Sequence, residues 1–306
     1  MRPFPRPQTG DGGLASRSGR LISQISLVTL TLIWGSTFPM IKVVVNSIGF
    51  AYYVTLRFGL ATLLLAPIVV ARKSKWLGDC WMAGMTLGFL FFGGITLQGL
   101  GMEYTTASNA AFITSLSAVL VYVMEVLTGR ERPSKRLSTA VCLSVLGLYL
   151  MSTTDSLHLH LGDLVVLLGA FFWALQIMSV GRYSRRFDLA PLLFLENGFT
   201  ALGGLVTALF FKPPTGRALA SVAVHLLYLA TICTVLANAL QLYGQRVVSS
   251  VEAAIIYLLE PIFASMLSAL LLREQLTPKQ LAGAFAIITA VALSSSRSFQ
   301  NVRVDH

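Results

Sequence analysis

The sequence predicts an all-α membrane protein of ten transmembrane helices, arranged as two inverted five-helix repeats. Three observations carry this reading. Apolar stretches of about 20 residues recur ten times along the 306-residue chain, each of the length that a bilayer core demands of a helix. Hydrophobic residues make up 55% of the sequence and mean hydropathy is +0.73, values that exclude an ordinary soluble domain. A block of five such stretches near the start returns in the second half with matching residues.

Spans are expected at 22–45, 51–71, 81–100, 107–127, 137–153, 163–182, 190–211, 220–244, 249–271 and 279–296. The first occupies a run without charge from Leu21 to Ile41 and ends on Lys42. The second holds Arg57 and closes on Arg72 and Lys73. Cys80 to Met102, again uncharged, supplies the third, where Gly84 and Gly88 form a small-xxx-small pair joined by Gly93, Gly94, Gly99 and Gly101; small residues let neighbouring helices approach closely. The fourth lies mostly within the uncharged run Tyr104 to Met124, and the basic segment 130–136 separates it from the fifth. Spans six and seven flank Arg182, Arg185 and Arg186. The eighth carries Asn238 and Gln241, the ninth Glu260-Pro261, and the tenth leads into a short tail. Connections this short leave no room for a sizeable soluble domain. The first apolar run begins late, is of full spanning length and lacks a small-residue cleavage site, so a cleaved signal peptide is not expected.

A net charge of +10 invites a nucleic-acid reading, but the placement of the charge opposes it. With the N-terminus inside, seventeen of the 23 basic residues fall on one side: in the tails, in segments 72–75, 130–136 and 182–186, and at Arg246. Only Lys212, Arg217, Arg273 and Lys279 fall on the other. This is the positive-inside bias, which with an even number of spans puts both termini in the cytoplasm and predicts no nucleic-acid partner. Cys80, Cys142 and Cys233 cannot pair completely, so no disulfide framework is indicated.

The repeat is visible residue by residue. At an offset of 143, Gly101–Ala111 falls on Gly244–Ala254, Gln98 on Gln241 and Arg130-Glu131 on Arg273-Glu274; at 139, Trp34 falls on Trp173. Five spans per half is an odd number, so the second half enters the membrane in the opposite sense, an architecture common among secondary transporters. The expected organisation is a cytoplasmic tail at 1–21, a first repeat at 22–153, a connecting loop at 154–162, a second repeat at 163–296 and a cytoplasmic tail at 297–306.

Trp34-Gly35-Ser36-Thr37-Phe38 with Lys42, Leu56-Arg57-Phe58, Leu259-Glu260-Pro261, and the glutamates Glu131 and Glu274 before the last helix of each half form an ordered, duplicated set. In these residues the chain resembles the EamA-type ten-helix members of the drug/metabolite transporter superfamily, over about residues 22–296. It departs at Ala118, where the repeat would place the counterpart of Pro261. The resemblance implies a secondary carrier in the cell (inner) membrane that exports a small polar or amphipathic metabolite, an amino acid or related compound. A carrier of drugs or other metabolites on the same fold is one alternative, and a membrane-embedded enzyme or non-transporting receptor another.

A charged side chain at the bilayer centre costs about 2.5–3.5 kcal/mol on insertion scales, so each embedded one needs an explanation. Glu260 sits near the middle of the ninth span beside Pro261, which frees a carbonyl one turn earlier, and is placed to meet a substrate amine or a transferable proton. Arg57 suits carboxylate recognition or a structural contact; its depth and that of Glu196 oppose a direct pair. Lys42 is expected to snorkel to the outer interface. Trp34, Trp173 and Tyr257 lie well inside spans and offer aromatic walls or helix packing. Gln98, Asn238 and Gln241 are embedded amides that either line a polar pocket or bond between helices. Asn109 and Glu252 are repeat partners at opposite mouths and are candidate gates, with helix capping and a helix-dipole contact as the competing roles.

His158-Leu-His160 with Asp155 and Asp163 has metal-like residue types but no fourth-ligand spacing, and no metal is expected. No Walker loop, zincin motif or nucleophile elbow is present. The chain is therefore expected to be no enzyme and to need no cofactor. Its expected partners are the lipid bilayer, a small-molecule substrate and a proton or counter-substrate to supply the energy.

Overall fold

A computed structural model describes residues 17–71, 77–105, 107–151, 161–272 and 277–295, and every element within them is helical. The expected tails beyond these residues, Arg273-Glu274, and Asp155 with His158 and His160 lie outside the described residues. The helices are α1 (Arg17–Gly35), α2 (Thr37–Ala71), α3 (Leu77–Tyr104), α4 (Ala107–Ser115), α5 (Ser117–Leu127), α6 (Lys135–Met151), α7 (Leu161–Tyr183), α8 (Leu189–Ala208) and α9 (Gly216–Ala230). After a π-helical segment (Thr231–Leu236) come α10 (Ala237–Gly244), α11 (Ser250–Tyr257), α12 (Glu260–Leu272) and α13 (Pro278–Ser295). Seven helical stretches among the described residues are long and apolar enough to cross a membrane: Thr37–Ala71, Cys80–Tyr104, Asn109–Leu127, Leu161–Tyr183, Leu189–Ala208, Gly216–Gly244 and Ser250–Leu267. Large apolar side chains such as Leu63, Val70, Phe89, Leu209 and Phe285 point outward, as lipid contact requires.

Several helices are interrupted, and each interruption has a local cause. Pro261 has no N–H to give the carbonyl of Tyr257 four residues earlier, and α11 ends at Tyr257. Leu258 and Leu259 then bond back three residues, to Ile255 and Ile256, before α12 starts at Glu260. The same kind of break separates α4 from α5 at Leu116, whose N–H bonds to Ile113 O. Within α2 the path turns at Gly49, with φ 75° and ψ 156°, a conformation essentially reserved for glycine.

Packing centres on α3 and α7, which lie side by side along their length. Gly84 and Gly88 let α3 close on α8, where an added β-carbon would fall 2.3 Å from Leu195 Cβ and 2.4 Å from Phe199 Cβ; Gly93 and Gly94 do the same beneath Phe172 and Trp173 of α7. The glycine stripe in this span thus serves helix packing. Further close pairs are α2 with α8 and α6 with α13.

Gly49→Ala is expected to cost about 1–3 kcal/mol through backbone strain and to lower the unfolding temperature in detergent by several degrees. Gly59, with equally open space around it but an ordinary φ, provides the comparison: Gly59→Ala should be neutral or stabilising.

Candidate functional site

The break between α1 and α2 at Gly35-Ser36 lies directly against the break between α11 and α12. A β-carbon on Gly35 would sit 3.1 Å from Glu260 O and 3.0 Å from Ala264 N, so a glycine here lets the two interrupted helices meet closely. Beside this meeting point is a cavity of about 70 Å³, bounded also by α3, α4, α5, α7 and α10, with room for a few water molecules. Of the candidate residues, Trp34, Arg57, Gln98, Trp173, Gln241, Tyr257 and Glu260 all line it.

Aromatic rings form much of the wall. Trp34 meets Tyr257 edge-on with centroids 5.5 Å apart, and Trp173 meets Phe91 at 4.7 Å. The Trp173 indole lies over Gly94, and its Nε1 has no hydrogen-bond partner among the described residues. Tyr257 donates its hydroxyl to Gln245 Oε1 (3.1 Å).

The two charged groups of the wall differ sharply in how they are held. Arg57 is 3% exposed and donates to Tyr53 Oη (2.5 Å), Thr234 Oγ1 (2.7 Å) and Cys233 O (3.0 Å), with the Phe58 ring 5.2 Å from its Cζ. The carbonyl and hydroxyl come from the π-helical segment, where the widened turn releases backbone acceptors. Glu260 is half-buried at the first residue of α12, and no described side chain bonds or pairs with its carboxylate.

Amides complete the lining. Gln98 Nε2 donates to Thr114 Oγ1 (3.2 Å). Gln176 and Gln241 exchange reciprocal bonds of 3.2 Å, and Gln176 Nε2 also donates to Glu196 Oε1 at 2.9 Å. Glu196 is fully buried behind the wall, its Oε2 without a partner among the described residues. It takes Gln176 and not Arg57, as their different depths suggest. Gln176 was missed in the sequence, although it lies one turn after Trp173 and shares its face. Asn238 is also fully buried but does not line the cavity, and neither of its amide atoms finds a partner among the described residues.

Glu252 and Asn109 lie away from the cavity. Glu252 forms an ion pair with Arg20 and accepts from Gln24 Nε2 (2.7 Å), so α1 is tied to the first turn of α11; Ser249 Oγ caps that helix by accepting from Glu252 N (3.2 Å). Asn109 is half-buried in the first turn of α4, inside the helix and past the capping position. Lys42, expected to reach the outer interface, is held at the end of α3. Its ammonium bonds to Met102 O and Thr105 O, because the end of α3 leaves carbonyls that a cation satisfies better than lipid would. Thr105 Oγ1 in turn donates to Asp163 Oδ1 (2.5 Å).

The EamA-like transporter family matches the chain twice, over residues 21–153 and 160–296. An uncharacterized transporter of Archaeoglobus fulgidus is 33% identical over 298 residues, spanning 96% of this chain and 91% of the relative. The uncharacterized inner membrane transporter YicL of Salmonella typhimurium is 24% identical, covering 91% and 97%. YrdR, an uncharacterized transporter of Bacillus subtilis, is 21% identical, covering 91% and 93%. A crystal structure of a protein sharing 15% identity superimposes with a TM-score of 0.73 over 92% of this chain and 97% of that one, a likeness of fold.

The partners of Arg57 predict its sensitivity. Arg57→Ala leaves Cys233 O and Tyr53 Oη without their donor in a buried site, and should sharply reduce the yield of folded protein on size-exclusion chromatography. Arg217→Ala, at an exposed first turn of α9, should leave yield unchanged.

Proposed function

The chain belongs to the EamA-like transporter family, and we propose that it exports a small amphipathic amine, an amino acid or related compound, through the cavity beside Glu260. As an integral, multi-pass membrane transporter it acts on a small-molecule substrate within the lipid bilayer. The observation that carries the narrower reading is the pairing of an aromatic-walled cavity with a carboxylate that no described residue neutralises. A primary ammonium would meet Glu260 while its apolar part lies against Trp34, Trp173 and Tyr257; Arg57, already committed to three acceptors, has further N–H groups for a substrate carboxylate. The outward direction follows the sequence resemblance, and energy is taken from a proton or a counter-substrate.

In this reading ten spans form two inverted repeats, 22–153 and 163–296, with both termini cytoplasmic in the cell inner membrane. Two observations support the duplication beyond the double family match. The break at Leu116 falls 143 residues before the break at Leu258-Leu259, the same offset that aligns the halves, although the first has no proline. Helix contacts also survive exchange of the halves: α3 with α7 corresponds to α10 with α1, and α3 with α8 to α9 with α2. Glu252, with Arg20 and Gln24, then serves as the inner gate and Asn109 marks the outer mouth.

Topology is tested by thiol labelling in a background without the native cysteines. A cysteine at position 158 should react with an impermeant reagent from outside and one at position 134 should not; the reverse pattern would overturn the inverted-repeat assignment. The substrate is sought by comparing metabolites in medium and cytoplasm of cells with and without the protein, followed by transport of the identified compound in proteoliposomes. Glu260→Gln keeps the shape of the side chain but removes its charge. It should insert normally yet reduce transport of an amine substrate at least tenfold, and wild-type rates in this variant would sink the assignment.

A further inference from the structure

A second cavity, of 680 Å³, lies at the end of the bundle where α1 and α3 begin, between those helices, the turn joining α7 to α8, and the end of α10. It shares no lining residue with the central cavity. Three arginines line it, Arg185, Arg186 and Arg246, against one carboxylate, Asp188. Arg185 gives two of its N–H groups to Gln245 O (3.3 Å) and Val248 O (3.1 Å), and Arg246 gives two to Ser184 O and Phe187 O (both 2.8 Å). A guanidinium has five N–H donors, so each keeps others in reserve. The Arg186 side chain has no partner among the described residues. Ser184 also belongs to the lining; its hydroxyl is buried and likewise unpartnered, a condition that a bound ligand would relieve.

The exposed surfaces of the two helices that begin at the cavity narrow the choice of ligand. Ile22 and Ile25 on α1, and Trp81 and Met82 on α3, are large apolar side chains exposed on the same two helices. Tryptophan is the residue type that gathers at the level of lipid headgroups, and basic pockets between membrane helices suit anionic ones. We propose that this cavity binds the phosphate of an anionic phospholipid, with the acyl chains lying along the exposed faces of α1 and α3. Arg186 and Ser184 supply the phosphate contacts that no protein group uses, and the remaining donors of Arg185 and Arg246 complete the cradle. The proposal requires only that the chain sits in a bilayer and is independent of the transported substrate.

The test uses the full-length protein in detergent, titrated with phosphatidylglycerol, phosphatidylcholine or inorganic phosphate, with unfolding temperature and bound lipid by native mass spectrometry as readouts. Phosphatidylglycerol should raise the unfolding temperature in a saturable manner and remain bound, while phosphatidylcholine should not. Arg186→Gln should raise the apparent Kd about tenfold, as loss of about 1.4 kcal/mol implies, and Ser184→Ala severalfold; Arg217→Gln, outside the cavity, should leave it unchanged. Equal effects of the two lipids, or an unaltered Kd in both Arg186→Gln and Ser184→Ala, would overturn the proposal. Equal stabilisation by inorganic phosphate would also overturn it, assigning the cavity to a soluble phosphoryl compound.

Discussion

Within a bilayer no water is at hand for a backbone group that leaves its helix, so every interruption must be answered by the protein itself. This constraint organises the whole structure. The same economy holds at the span ends: where α2 turns at Gly49, between the first two expected spans, the N–H of Phe50 donates to Glu103 Oε1 (3.1 Å). Where α3 ends, Lys42 bonds to its last carbonyls. Where the π-helical segment widens, Arg57 takes up Cys233 O. At the two central breaks the chain tightens to three-residue bonds at Leu116 and at Leu258-Leu259. Lys42, Glu103 and Arg57 are charged residues embedded in or beside spans, and each is explained by the backbone it serves.

Against that background Glu260 stands apart. Arg57 and Glu260 both face the central cavity, yet the first is held by three acceptors and the second by no described side chain. Cost and opportunity coincide at the same position: a carboxylate left without a counterpart is expensive to the folded protein and available to a ligand. The Gln176–Gln241 pair has a different character, because each amide satisfies the other and the surplus N–H of Gln176 reaches Glu196. That chain of bonds fixes the wall behind the cavity.

Much of the candidate site was legible in the sequence, because a charged or aromatic residue inside a 20-residue apolar run stands out against its surroundings. Trp34, Arg57, Trp173, Tyr257 and Glu260 stood out by that contrast, with the repeat and the motifs of the resemblance beside it, and they meet at one cavity. Amides gave a weaker signal. Gln98 and Gln241 line the cavity, whereas Asn238, three residues before Gln241, is buried away from it. The break at Leu116 had no proline or glycine to announce it, and the π-helical segment left no mark in Thr231–Leu236. The partners of Lys42 left no trace in the sequence, because the carbonyls it serves are about 60 residues away, at the end of another helix.

The close approach of Gly94 to Trp173 bears on how such carriers diversify. A methyl group at position 94 would fall 2.9 Å from the indole ring and would drive that ring toward a cavity of only about 70 Å³. The capacity of the proposed substrate chamber is thereby set in part by an atom that is not there, on a residue outside its lining. Lineages could retune what fits by exchanging glycine for alanine behind the wall, leaving every lining residue intact. Comparisons restricted to lining residues would read two such proteins as equivalent.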